Sequence, residues 1–180
     1  CCSMARLFTA VELGALARAA VVARQAVLVG RLREAGDVSL RPVRPEHLHL
    51  TVVFLGEVAD ARVPDAVTAL SEPLAQRAFD VAFGSAGAFP PTGPMRVLWL
   101  GVEQGSEGLR AVHAELASRV RRLGIALEPR PFAPHLTLAR WRVPAPSTLR
   151  PVLDGGQSAH RIIQPVAAVT LFRSHLRAGG

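Results

Sequence analysis

Apolar and polar positions follow nearly the same pattern twice along the chain. Met4 to Glu12 (M-A-R-L-F-T-A-V-E) and Met95 to Glu103 (M-R-V-L-W-L-G-V-E) are mostly apolar runs ending in Val-Glu, and both predict buried strands. A helical pattern follows each. The first, about Leu13 to Ala35, sets Leu16, Ala20, Val27, Leu28 and Leu32 near one stripe; the second, about Ser106 to Leu123, sets Leu109, Val112, Leu116, Val120 and Leu123 at helical spacing behind Ser106 as a cap. Gly36 and Gly124 supply the stops. Pro-marked extended segments then lead into R-P-E-H-L-H-L-T (Arg44 to Thr51) and R-P-F-A-P-H-L-T (Arg130 to Thr137). The first motif is followed by a helix over about Ala61 to Ala78, kinked or split at Pro73, and by a strand near Phe79 to Phe83. The second is followed by W-R-V-P-A-P-S, a short helix near Ser147 to Leu153, a turn at Asp154-Gly155-Gly156 and a strand from Ile162 to Phe172. Gly84 to Gly93 reads as the connection between halves. This duplication predicts an α+β fold: one domain over residues 1–180, its halves at about 4–88 and 94–176 forming two lobes related by a pseudo-twofold axis.

Composition narrows what such a fold can do. With 49% hydrophobic and 19% charged residues the 180-residue chain reads as globular. No apolar run approaches the ~18 residues of a spanning helix, so no membrane role is expected. Met4 opens directly into a strand pattern rather than a secretory signal, and Cys1 and Cys2 are the only cysteines, so a cytoplasmic location is expected and a disulfide framework is not. All 21 basic residues are Arg, with no Lys anywhere. That excludes lysyl-nucleotide intermediates, Schiff bases and phosphate-loop lysines. The net charge of +7 and the forked guanidinium suit phosphate and polyanions such as RNA.

The repeated motif carries the chemistry. Side chains alternate along a strand, so His49 and Thr51 share one face while Leu50 and Val52 take the other, and His135 and Thr137 repeat the arrangement. If the pseudo-twofold axis passes between these strands, two imidazoles and two hydroxyls meet in one cleft. A neutral His can then take a proton from an attacking oxygen while a protonated His delivers one to a leaving oxygen, and the Thr hydroxyls donate to phosphoryl oxygens.

The paired H-x-T motifs, continuing as H-L-T-V-V-F-L-G (His49 to Gly56) and P-H-L-T-L-A-R (Pro134 to Arg140), resemble the two-histidine phosphoesterase superfamily. With R-L-F-T-A-V-E-L, R-V-L-W-L-G-V-E and the late L-F-R-S (Leu171 to Ser174), nearly the whole chain is similar to the RNA 2',3'-cyclic phosphodiesterases, also called 2'-5' RNA ligases. The resemblance implies antiparallel sheets lining a central V-shaped cleft, with helices outside. It implies cofactor-free and metal-independent opening of RNA 2',3'-cyclic phosphate ends, or of small cyclic nucleotides, to 2'-phosphomonoesters, with reversible 2'-5' joining in some members. His49, Thr51, His135 and Thr137 match the catalytic positions, and Arg140 and Phe54 match positions that hold the nucleotide. Strict alternation turns Arg140 and Phe54 away from the histidine face, so a bulge or strand end is required there. The symmetric motif does not assign the two His; the preferred reading has His135 activating water and His49 protonating the 3' oxygen. The family usually continues past R-S-x-L with a further strand, whose lack would open one cleft wall. A monomer is expected.

Two other functions fit parts of this pattern. A noncatalytic RNA-binding module would use the His pair to line a phosphate site. A metal hydrolase would take His47, His49 and His135 as three ligands, although Glu46 faces away and the second half has no counterpart of His47. His113, His160 and His175 read as packing or surface residues. Arg18, Arg24, Arg121 and Arg122 read as solvated positions, and Arg44 and Arg130, five residues before each motif His, as cleft-mouth or loop-fixing residues.

Overall fold

The computed structural model describes residues 3–154 and 160–174. In chain order the elements are β1 (Met4–Glu12), α1 (Ala15–Glu34), β2 (Leu40–Pro42), β3 (His49–Ala59), α2 (Val63–Ser71), β4 (Phe79–Phe89), β5 (Met95–Gln104), α3 (Ser106–Arg122), β6 (His135–Ala145), α4 (Pro151–Asp154), β7 (Ile162–Val166) and β8 (Thr170–Ser174). Short 3-10 turns lie at Pro45–His47, Asp60–Arg62 and Ser147–Leu149. No helix among the described residues is long and apolar enough to cross a membrane.

The strands form two sheets, ordered β3-β1-β8 and β2-β6-β5-β4-β7, with every pairing antiparallel. The twin runs β1 and β5 occupy equivalent places, each flanked by an H-L-T strand. On its other side each receives a strand from the opposite half of the sequence: β8 joins β1, and β4 joins β5. Helices cross over as well. α1 packs against β2 and β7 of the second sheet, and α3 packs against β3 of the first. The result is an α+β fold with pseudo-twofold character, in which β3 and β6 approach each other between the sheets.

Helix ends follow the glycines. Gly36 and Gly124 adopt left-handed backbone (φ 98° and 74°), letting Asp37 N–H reach the Leu32 carbonyl at 2.9 Å and Ile125 N–H reach that of Val120 at 3.4 Å. The buried face of α1 differs from the expected stripe. Ala17, Val21, Gln25, Leu28, Val29 and Leu32 are buried, whereas Ala20 is exposed, Leu16 is 89% exposed and Val27 51%. The polar Gln25 interrupts the true stripe in the sequence, yet it is retained inside because its Nε2 donates to the carbonyls of Val43 (2.8 Å) and Leu138 (2.7 Å). On α3, Leu109, Val112, Leu116 and Val120 are buried as expected, but Ser106 makes no capping hydrogen bond.

Other boundaries move for local reasons. α2 stops at Ser71 rather than continuing to Ala78, because Pro73 cannot extend it and the buried Arg119 guanidinium takes up the freed carbonyls of Glu72 and Pro73, each at 2.7 Å. β4 runs on through Gly84 to Phe89, so the connection between halves is only residues 90–94. Glycine is needed inside that strand: a Cβ on Gly87 would lie 2.3 Å from the Trp99 ring. The long strand expected from Ile162 to Phe172 is two, β7 and β8, broken at residues 167–169 where the chain changes sheets. The helix near Ser147 to Leu153 is a 3-10 turn followed by α4. Gly155, Gly156 and residues 175–180, including His175, lie outside the described residues.

Candidate active site

Both motif histidines are the first residues of their strands. His49 follows the 3-10 turn Pro45–His47, and His135 follows the Pro-marked segment 128–134. Each ring is held in the same way. Nδ1 of His135 donates to the Ala133 carbonyl at 2.7 Å, and the His49 ring makes the corresponding backbone bond to His47, two residues upstream. A carbonyl only accepts, so the bond fixes the proton on Nδ1 of His135 and leaves Nε2 for the cleft.

Aromatic pairs stand behind the two rings. Phe8 stacks on His49 at 5.0 Å and on Phe172 at 5.2 Å; Phe89 meets His135 edge-on at 4.9 Å and Trp99 at 5.2 Å. Phe8 and Trp99 come from the twin strands β1 and β5, whereas Phe172 and Phe89 arrive on the exchanged strands β8 and β4. Sequence reasoning missed these four. Their only local signal is the shared aromatic at the fifth position of M-A-R-L-F and M-R-V-L-W; the partners are set by strand exchange.

Burial against these aromatics lowers the pKa of both His49 and His135 below the ordinary value of 6.5, partly offset by the backbone hydrogen bonds. Arg140 lowers both further. One guanidinium therefore stands within electrostatic reach of both imidazoles, which ties residues 49 and 135 to a common cleft.

Arg140 reaches that position through a bulge. In β1–β3 the register slips between Thr9 and Ala10, leaving Val52 unpaired, and in β5–β6 it slips between Leu98 and Trp99, leaving Leu138 unpaired. Val52 and Leu138 each follow the motif Thr. Consecutive residues Val52-Val53 and Leu138-Ala139 are then buried, and Phe54 and Arg140 emerge exposed on the His-Thr side. Buried polar side chains hold both bulges: Val53 N–H donates to Thr9 Oγ1 at 3.0 Å, and the Leu138 carbonyl accepts from Gln25. Phe54 carries the Arg6 guanidinium over its ring, 4.9 Å from the centroid.

Two chambers open from this centre. One, of about 820 Å³, contains His49, Thr51, Phe54 and Arg140, with Arg6, Phe8, Arg18 and Phe172 on its walls. The other, of about 850 Å³, contains His135, Thr51 and Phe54, with Phe89, His113 and Phe132. Thr51, Phe54 and Glu128 border both. Thr137 is partly exposed, paired opposite Trp99 and two residues from His135 on the same face.

Several expectations change here. Arg18 and Arg121 line the chambers rather than an open solvated face, and Arg18 also donates to the Pro45 carbonyl at 2.5 Å, bracing the turn before His49. Arg24 donates to the Gly84 and His160 carbonyls. Arg130 borders the second chamber and pairs with Glu128 at 3.5 Å, while Arg44 is exposed at the start of the 3-10 turn. His113 stacks on Phe132 inside the second chamber, at 4.3 Å and 2°. His47 borders the His49 chamber, but it does not form a three-ligand set with His49 and His135: no metal-holding cluster of three His, Cys, Asp or Glu occurs among the described residues.

Known proteins resemble this chain in sequence and in fold. The chain is 36% identical over 110 residues to an Archaeoglobus fulgidus protein named RNA 2',3'-cyclic phosphodiesterase, a match spanning 61% of each chain. It is 38% identical over 182 residues to a Thermus thermophilus protein of the same name, covering 97% of this chain and 84% of that one. The crystal structure of Escherichia coli LigT with 3'-AMP superposes with a TM-score of 0.72 at 28% identity, over 99% of this chain and 92% of that one. The sequence profile of the 2'-5' RNA ligase superfamily matches residues 21–175, a span holding both H-L-T strands and most of the two sheets that carry them, and the chain belongs to that superfamily.

Proposed function

We propose that this protein hydrolyses RNA 2',3'-cyclic phosphate ends to 2'-phosphomonoesters, with His135 as general base and His49 as general acid. His135 takes a proton from water as the water oxygen bonds to phosphorus; the P–O3' bond breaks, and His49 protonates O3'. Thr51 and Thr137 donate to the nonbridging oxygens as charge builds there. Phe54 offers a face to the base, and Arg140 supplies the nearby positive charge. The observation that carries this reading is that Thr51 and Phe54 border both the chamber of His49 and Arg140 and the chamber of His135, so the two rings open on adjoining parts of one cleft. The names of the Archaeoglobus and Thermus relatives support the substrate class.

Lowered pKa values suit a base but not an acid. A bound phosphate anion resolves this: its charge opposes that of Arg140 and raises the pKa of both rings, so one can carry a proton when substrate is present. We assign the activity to a cytoplasmic monomer.

The test is hydrolysis of an oligoribonucleotide ending in a 2',3'-cyclic phosphate, with the position of the retained phosphate mapped. Activity should persist in a chelator, and His49→Ala and His135→Ala should each lose about 10²–10⁴-fold. Full activity in either variant, or tight RNA binding with no turnover, would overturn the reading.

A further inference from the structure

We propose that Arg150 is a positioning residue for His135: it clamps the loop between β4 and β5 and so holds the Phe89 ring against that imidazole. Arg150 borders neither chamber, so its effect on the site passes through the loop. This rests on the reading above for the role of His135 as base, whereas the contact itself belongs to the free protein.

The loop at residues 90–94 reads P-P-T-G-P, so three of its five residues have no N–H. Among the described residues no backbone hydrogen bond closes it, and its carbonyls need a donor from elsewhere. Arg150 is that donor. Its Nη1 donates to the Ala88 carbonyl at 3.3 Å, and its Nη2 donates to those of Pro90 at 2.7 Å and Gly93 at 3.1 Å. One planar, rigid group therefore grips the chain on both sides of Phe89 and again at the far end of the loop. The clamp is itself anchored: Arg150 N–H donates to the Ser147 carbonyl at 3.0 Å, and the Arg150 carbonyl accepts from the N–H of the buried Leu153 at 2.9 Å. Held in this way, Phe89 meets His135 edge-on at 4.9 Å and Trp99 at 5.2 Å. The Ala133 carbonyl fixes one edge of the imidazole, and Phe89 limits its movement from another side. A base that must face water in line with phosphorus tolerates little play, since a misplacement near 1 Å costs about 10²-fold in rate.

The experiment is NMR titration of the histidine rings in Arg150→Met, which keeps the length of the stem and removes the donors. His135 should titrate nearer to 6.5 than in the wild type, because a loosened Phe89 lets water back to the ring. His49, walled by Phe8 and Phe172, should not move, and its constancy shows that the fold is intact. Arg140 and the charged or titratable residues of the His135 chamber, Arg96, His113, Arg121, Glu128 and Arg130, are untouched by the variant. Phe89→Ala should move His135 in the same direction, and adding Arg150→Met to it should move His135 no further. Additive shifts would mean that Arg150 acts by its charge and would overturn the inference. In the hydrolysis assay Arg150→Met should lower kcat about tenfold with little change in KM, inside the ~10²-fold range of a 1 Å misplacement. Arg150→Lys keeps the charge and part of the donor set, and its His135 should shift the same way by less. An unchanged His135 in Arg150→Met, or in Arg150→Lys where Arg150→Met does not fold, overturns this inference alone. A shifted His135 in a protein that hydrolyses no cyclic phosphate overturns the phosphodiesterase reading and leaves the clamp standing.

Discussion

A backbone carbonyl, a guanidinium and an aromatic wall surround each imidazole of the proposed site. The carbonyl of Ala133 fixes the ring of His135, and Phe8 or Phe89 strips water from one side of each ring. Burial and Arg140 both favour the neutral form, so each histidine in the free protein titrates below 6.5. The pH profile of kcat/KM, which reports the free protein, should therefore peak on the acid side of 6.5. The profile of kcat, measured with the phosphate anion in place, should lie at higher pH. Coincident profiles would show that substrate charge does not set the protonation of the pair. Stability follows the same sign. For His49, His113 and His135 the folded pKa is lowered, so the unfolded chain binds more protons below 6.5, and unfolding free energy should fall as pH drops from 6.5 toward the lowered values. Histidine and threonine positions were legible in the sequence because a period of two is enough to place them on one face. Their pKa values were not, since those arise from burial by rings on other strands, far along the chain, such as Phe8 and Phe172 beside His49 and Phe89 beside His135.

At the scale of elements, the two bulges decide what the H-L-T strands present. Without them Phe54 and Arg140 would point into the cores of their sheets, as strict alternation requires. The extra residue at Val52 and at Leu138 reverses the phase just beyond each Thr. Thr9 is 2% exposed and supplies the oxygen that satisfies Val53 N–H. Thr9→Val keeps the shape and leaves that N–H buried without a partner, a loss of about 1–3 kcal/mol. The variant should also raise the KM for cyclic phosphate more than it lowers kcat, because in the proposed mechanism Phe54 holds the nucleotide while the histidines do the chemistry. Thr9→Ser should recover both. A folded Thr9→Val protein with unchanged KM would separate Phe54 from the bulge. The sequence showed that a bulge or strand end was needed; where it falls depends on register with β1 and β5. The same dependence explains α1, whose buried stripe passes through Gln25 because that amide meets the Leu138 carbonyl on β6.

Over the whole molecule, neither half of the sequence closes its own sheet. β4 and α1 serve the second sheet, and β8 and α3 serve the first. Residues 1–92 expressed alone should therefore lack a cooperative unfolding transition, and coexpression with residues 93–180 should restore hydrolysis; an independently folded 1–92 fragment, seen as a sharp thermal transition by circular dichroism, would refute this interdependence. Exchange also accounts for the matched surroundings of the two histidines, since each half sends an aromatic, Phe89 or Phe172, to the other half's site. By itself the sequence determined the two H-L-T strands, the twin strands beside them, the glycine stops and the shared face of each His and Thr. All of these depend on neighbours within a few residues, through strand alternation, helical spacing and backbone sterics. Only the tertiary structure decided which strand crosses to which sheet, how the bulges turn Phe54 and Arg140 into the cleft, and that one guanidinium acts on both imidazoles. Those outcomes depend on pairing and burial between segments far apart in the chain, where local pattern carries no distance information.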